Sequence, residues 1–270
     1  MEYDPIKRSL GKVFNKSPFT RKIFYHLLDI LLLRTWHIKK SVKEWVKKTN
    51  GEVEILDAGS GFGQYSYYLS GLKLKCNITS VDVKEEQVED CNNFFKQIGR
   101  TNVEFSVGDL TTFRKKDKFD LILCVDVMEH ILEDVKVFEN YCYSMKPGGM
   151  LLISTPSDQG GSDVHDHDGE ESFIGEHVRD GYGLHEIGEK LFQAGFTKVD
   201  AWYVYGTPGQ ISWRLSMKYP IQMLGVSKLF FIILPFYYLI TFPFCLLLNC
   251  IDLYGKHKSG TGLIVEARKD

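Results

Sequence analysis

The residues best placed to do chemistry begin at Ile55. The run Ile55-Leu56-Asp57-Ala58-Gly59-Ser60-Gly61-Phe62-Gly63 sets three glycines at alternate positions, after a short apolar stretch and before a helical pattern. Glycines there let the backbone turn sharply and approach a ligand closely. Asp82, ending Ser80-Val81-Asp82, lies about 20 residues beyond the loop, a carboxylate able to accept two hydrogen bonds. The dinucleotide fingerprint G-x-G-x-x-G is not met. The third glycine comes one residue early and Gln64 occupies its place, which disfavours a nicotinamide or flavin enzyme. Two more acids close strand-like runs: Asp109 in Gly108-Asp109-Leu110, and Asp126 at the end of Phe119-Asp120-Leu121-Ile122-Leu123-Cys124-Val125-Asp126.

These positions need a sheet to present them, and the pattern supplies one. Strands are expected at 53–56, 77–81, 103–107, 119–125, 150–154 and 197–205, and helices at 65–70, 85–98, 132–145 and 184–194. Alternation at this spacing means βαβ units and a parallel sheet covered on both faces. Ahead of them, Ser17-Pro18 reads as an N-cap with proline at the first helical position, opening a helix over 17–34. A second helix follows, with Ile38, Val42, Trp45 and Val46 on one face. The run 262–268 is one more strand.

With these motifs in register, the chain resembles the class I S-adenosylmethionine methyltransferase family over about 51–206 and the terminal strand. The resemblance implies an α/β, Rossmann-like doubly wound sheet of seven strands, the last antiparallel. N-terminal helices precede it, and a hydrophobic helical insert comes before the last strand. It implies S-adenosyl-L-methionine as cofactor. Asp57, Gly59, Ser60, Gly61, Gly63 and Gln64 would wrap the methionine part, and Asp82 with Val83 would meet the ribose. Gly108, Asp109 and Leu110 would read the adenine, with the acid receiving its amino group. Cys124, Val125 and Asp126 would stand at the methyl-donor end, continued by Val127-Met128-Glu129-His130-Ile131. The turn Lys146-Pro147-Gly148-Gly149 would precede the fifth strand. A His-containing stretch before the last helix is loosely similar to the ubiquinone-type O-methyltransferases.

Methyl transfer is an in-line displacement at a cationic sulfonium, so the protein mainly aligns donor and acceptor and excludes water. An oxygen or nitrogen acceptor also needs its proton removed. The candidate bases are His130, near the cofactor, and His165, His167 and His177 in the acidic loop 156–182. That loop reads as a lid over the acceptor pocket, as a plain solvated loop, or as a divalent-metal site. No recognised metal-ligand spacing is present, and none is assigned.

Composition places the acceptor. Across 270 residues the formal net charge is −2, against a dedicated nucleic-acid binder. Residues 1–50 nevertheless carry about +8 and 207–258 about +4, so two basic segments face something anionic. None of the six cysteines forms a C-x-x-C pair, which suits a reducing compartment, and the first ten residues lack the apolar core of a secretory signal. Between Lys228 and Asp252 there is no charged residue, a length matching a bilayer span of roughly 20 residues. A single crossing would strand the last strand on the far side of the membrane from its sheet. The insert must therefore re-enter, cross an even number of times or lie in the interface, with Pro235 and Pro243 breaking or kinking it as in a shallow hairpin. The helix at 17–34, apolar on one side and basic at its ends, would lie beside it.

The expectation is a basic amphipathic segment (1–50), a methyltransferase core (51–206), a hydrophobic membrane-associated insert (207–258) and the core's final strand (259–270). The acceptor would be a hydrophobic or membrane-borne phenol, quinone or lipid, with the catalytic domain on the cytoplasmic side. The alternatives are a non-catalytic S-adenosylmethionine-binding membrane scaffold, or a soluble methyltransferase dimerising through the apolar insert.

Overall fold

The computed structural model describes residues 17–160, 178–227 and 229–270. Seven strands, β1 (Val53–Ala58), β2 (Cys76–Asp82), β3 (Val103–Val107), β4 (Phe119–Val125), β5 (Met145–Pro156), β6 (Lys198–Val204) and β7 (Gly262–Arg268), form one sheet in the order β3-β2-β1-β4-β5-β7-β6. All pair parallel except β7, which runs antiparallel between β5 and β6. The central strands read as continuous apolar runs because both faces are covered. Ile55, Leu121, Leu123 and Leu152 face one buried cluster, and Leu56, Ile122, Leu151 and Ile153 the other.

Helices α1 (Pro18–Leu31), α2 (Leu33–Lys48), α3 (Gln64–Ser70), α4 (Glu85–Gln97), α5 (Asp134–Ser144) and α6 (Leu184–Gln193) surround the sheet. Ser17 caps α1, with Thr20 completing a reciprocal capping box. The expected 17–34 helix ends early. Leu32 turns extended, so Arg34 belongs to the first turn of α2. The expected 132–145 helix starts later, after a 3₁₀ turn over Met128–His130, and Lys146-Pro147-Gly148-Gly149 lies within β5 beside a register shift, rather than ahead of it.

The insert is a helical hairpin. One leg comprises α7 (Thr207–Trp213), a π-helical turn (Arg214–Lys218) and α8 (Tyr219–Val226); the other is α9 (Phe230–Tyr254). The reversal follows Ser227, whose backbone is extended, and not either proline, because α9 runs unbroken through Pro235 and Pro243. Packing of α9 against the first leg overrides the local preference of proline. Tyrosine hydroxyls repair carbonyls along that contact. Pro220 cannot donate to the Ser216 carbonyl four residues back, and the Tyr238 hydroxyl donates to it at 2.8 Å instead. Tyr237 does the same for the Leu215 carbonyl at 2.7 Å.

The foot of the hairpin is tied to the core by one acid. Asp252 is fully buried and accepts the Tyr205 amide (3.2 Å), the Gly209 amide in α7 (3.2 Å) and His37 Nε2 in α2 (3.1 Å). His257 Nε2 lies 3.3 Å from its other oxygen. Asp252→Ala strips partners from two amides and a histidine in the interior. It is expected to lower unfolding free energy by about 3 kcal/mol in urea titration, whereas the exposed-site control Tyr254→Ala stays within about 1 kcal/mol.

Candidate cofactor and acceptor site

The expected ligand residues converge along one edge of the sheet. Strand order puts the ends of β3, β2, β1 and β4 side by side, so Gly108-Asp109, Asp82, the glycine loop and Asp126 form a row. At about 4.8 Å per strand, three intervals span roughly 14 Å, the length of an extended nucleoside joined to an amino acid.

Asp57 anchors the row from beneath. It is buried and accepts a hydrogen bond from the Ser66 hydroxyl, itself 2.8 Å from Ser80. Burial pushes the Asp57 carboxyl up to about 6, against the Ser66 bond that lowers it. Gly59, Gly61 and Gly63 all adopt left-handed backbone, with φ of 76°, 48° and 73°. A Cβ on Gly59 would lie 2.3 Å from Val127, and one on Gly63 3.2 Å from Cys91 and Phe105, while one on Gly61 would meet nothing nearer than 3.9 Å. The loop is thus packed from behind and open in front. The Ser60 hydroxyl is buried there with no partner among the described residues, an orphaned donor that a ligand would satisfy.

Asp82 holds the loop's shape by accepting the Gly61 amide (2.8 Å) and the Lys84 amide (2.9 Å), which leaves lone pairs on both oxygens for hydroxyls. Val83 beside it is 56% exposed, an apolar surface next to a polar anchor. Asp109 spends one oxygen on the Thr111 amide and hydroxyl, keeping the other; Leu110 is buried in the core, and Gly108 leaves no room for a Cβ against Val81. These features fit S-adenosylmethionine. Gln64 departs from its expected role, because its amide donates to Asp29 of α1 at 3.0 Å. Cys124 is fully buried and accepts the Tyr141 hydroxyl, so it backs the site through packing.

Several contacts at this edge were not legible in sequence. Asp126 takes a left-handed φ of 51° and pairs with Arg34 at 2.6 Å. Tyr205, also left-handed at 55°, accepts the Arg34 backbone amide at 3.0 Å, and Thr35 meets the Tyr65 hydroxyl at 3.2 Å. Such strain persists where surrounding contacts hold it, and it gathers at functional sites. Glu129 is buried, with Thr155 donating to it at 3.1 Å; burial first, and Asp126 next, push its carboxyl up to about 8. Helix α1 clamps the glycine loop from outside. Arg21 is buried, and its guanidinium bonds Asp90 (2.7 Å) and the Phe62 carbonyl (2.9 Å), while Tyr25 donates to that same carbonyl. The inward Arg21–Tyr25 pair, four residues apart, was the available signal; Arg21 is not one of the solvent-facing basic ends of α1.

Of the candidate bases, His130 is exposed on the 3₁₀ turn after β4. His165, His167 and His177 lie outside the described residues. No cluster of three metal-ligating side chains occurs among the described residues.

Comparison with known proteins agrees with this geometry. A family model described as "Methyltransferase domain" matches residues 49–186. Phosphoethanolamine N-methyltransferase 1 of Arabidopsis thaliana is 30% identical over 178 residues, covering 60% of this chain and 33% of that protein. A ubiquinone biosynthesis O-methyltransferase of Coxiella burnetii is 30% identical over 102 residues, covering 37% of this chain and 42% of that one. The chain spans about a third of the length of the plant phosphoethanolamine enzymes it matches. In fold it is similar to Haemonchus contortus phosphoethanolamine N-methyltransferase 2 in complex with S-adenosyl-L-methionine (TM-score 0.60, 15% identity, 87% of this chain, 52% of that one). It is also similar to a methyltransferase from Aquifex aeolicus (TM-score 0.51, 22% identity, 76% and 93%).

Two outcomes follow. Gly59→Ala forces a side chain into Val127 at a left-handed position; stability is expected to fall by about 2–4 kcal/mol, with cofactor binding by calorimetry lost in parallel. Glu129 is raised in the folded state, so its contribution is complete below the ordinary carboxylate range and drains away as pH rises towards about 8. Wild type should lose up to about 1.4 kcal/mol of stability per pH unit across that window. Glu129→Gln, which still accepts from Thr155, should flatten the curve; an unchanged slope in pH-dependent denaturation would show that Glu129 titrates normally.

Proposed function

We propose a reaction for this chain, which belongs to the class I S-adenosylmethionine-dependent methyltransferase family and has that family's cofactor, S-adenosylmethionine: methyl transfer to a hydrophobic or membrane-borne small molecule. When bound, the cofactor supplies an electrophilic methyl group on a cationic sulfur. The open face of Gly61 and the Ser60 hydroxyl hold the amino-acid end, Asp82 takes the ribose hydroxyls, and Asp109 with Val83 borders the base. Asp126, paired with Arg34, borders the methyl end, and beside it burial and Asp126 push the Glu129 carboxyl up to about 8. Tyr65, Tyr205 and Arg34 gather beside Asp126 at that end. We assign the removal of an acceptor proton among His130, His165, His167 and His177.

The observation that carries the acceptor class is the hairpin. It leaves from the end of β6 and returns at the start of β7, the same edge that bears the ligand row. Phe231, Ile232, Phe236, Leu239, Ile240 and Phe244 are each more than 60% exposed or close to it, and only 11% of the apolar window of α9 is buried. A monomeric soluble protein rarely exposes a patch of that size. Both legs return to one side, which leaves the β7 pairing intact. Arg214 and Lys218 sit midway along the first leg, so the hairpin lies obliquely with these side chains reaching the interface. The outward face of α1 (Phe19, Ile23, Leu27, Ile30) offers a second apolar contact. The catalytic domain then rests on the cytoplasmic surface, close to acceptors dissolved in the bilayer.

Tyr238 lies against Ser216, so residues 218–236 can be replaced by a short Gly-Ser bridge without touching the foot. The shortened protein is expected in the soluble fraction with cofactor binding intact and activity on lipid extracts reduced at least tenfold. If the full-length chain is already soluble without detergent and runs as a dimer, the hairpin is an oligomer contact. Tight cofactor binding with no labelled product from any membrane extract would leave a scaffold.

A further inference from the structure

We infer that a groove between α2 and the foot of α9 binds the phosphate-bearing headgroup of an anionic membrane lipid. This rests on the hairpin entering a bilayer. The groove encloses about 470 Å³. One wall is built by Lys39, Lys40, Lys43 and Lys47, on successive turns of α2; the other is the end of α9, Leu253 and Tyr254.

The lysines are not equivalent. Lys39 is paired with Asp29 at 2.6 Å. Lys40 donates to the Leu253 carbonyl at 2.9 Å and stands 4.9 Å from the Tyr254 ring, so it offsets the partial negative charge at the end of α9 and fastens the two walls together. Lys43 and Lys47 are exposed and, among the described residues, hold no ion pair. Four lysines against Asp29 and Glu44 leave an excess of two positive charges in the groove.

Its depth is what selects a lipid. The uncharged surface of α9 runs up to Ile251 and gives way within one turn to Tyr254, 75% exposed, then to exposed Lys256 and Lys258. Trp36, whose indole donates to the Ile30 carbonyl at 3.2 Å, borders the same groove. Tryptophan and tyrosine at the end of an apolar helix mark the height of the headgroups, and basic side chains there draw anionic lipid. A phosphate at that level is what a phospholipid presents, and docking it would set the depth and tilt of the catalytic edge.

The test is co-flotation of the full-length protein with phosphatidylcholine vesicles and with vesicles containing one-third phosphatidic acid or phosphatidylserine. Tighter binding to the anionic vesicles is expected. Lys43→Ala/Lys47→Ala should cut that preference by roughly tenfold, while Lys256→Ala/Lys258→Ala, an equal charge change nearby, should cut it markedly less. Equal losses from both pairs, or no loss from either, would overturn the groove while leaving membrane docking intact. Binding to no vesicle would overturn the docking reading and the groove with it. Inorganic phosphate protecting Lys43 and Lys47 from acylation in the absence of vesicles, with no preference for anionic vesicles, would reassign the groove to a soluble anion and overturn the lipid.

Discussion

Everything unusual about this molecule depends on the antiparallel placement of β7 between β5 and β6. Because β7 enters the sheet from the edge where β6 ends, any chain inserted between them must leave and return at one place. That edge is also where the parallel strands deliver their loops. An apolar segment that would otherwise be free to cross a membrane is therefore folded back on itself, directly beside the ligand row. Asp252 enforces the closure. It draws an amide from each side of the β6–α7 junction and a histidine from α2 onto one buried carboxylate, so that the foot cannot drift relative to the sheet.

The fold was legible because its signals are local and repeated. Apolar runs such as Leu121–Cys124, the glycines after β1 and the capping pair at Ser17-Pro18 each state their structure within a few residues. Asp57, Asp82, Asp109 and Asp126 could be placed at strand ends on spacing alone, and the structure aligns them along one edge. What sequence could not show arises from contacts between distant segments. Arg34 reads as the basic end of a helix until Asp126 and Tyr205 bring it into the site. Gln64 reads as a loop ligand until Asp29 claims it. The prolines of α9 read as breakers, but the helix runs unbroken through both, its inner side held against the first leg by Tyr237 and Tyr238. The reversal at Ser227 falls just ahead of the uncharged run, whereas Pro235 and Pro243 lie inside it, which drew the expected bend to the wrong place.

The site is balanced between two kinds of burial. Asp57 and Glu129 are driven towards their neutral forms by desolvation, whereas the partly exposed Asp126 is paired with Arg34. A carboxylate paired with Arg34 beside one driven towards its neutral form limits the crowding of like charges at the end of β4. The strained backbone at Asp126 and Tyr205 is stabilised by the same arginine, so α2 contributes to the geometry of the edge as well as covering the sheet.

Helix α1 has a consequence of its own. Its inner face grips the glycine loop through Arg21 and Tyr25, while its outer face presents Phe19, Ile23, Leu27 and Ile30. One helix therefore joins the backbone of the glycine loop to an apolar surface on its far side. The same fourteen residues thus serve two surfaces at once, a buried polar grip on the loop and an exposed apolar stripe.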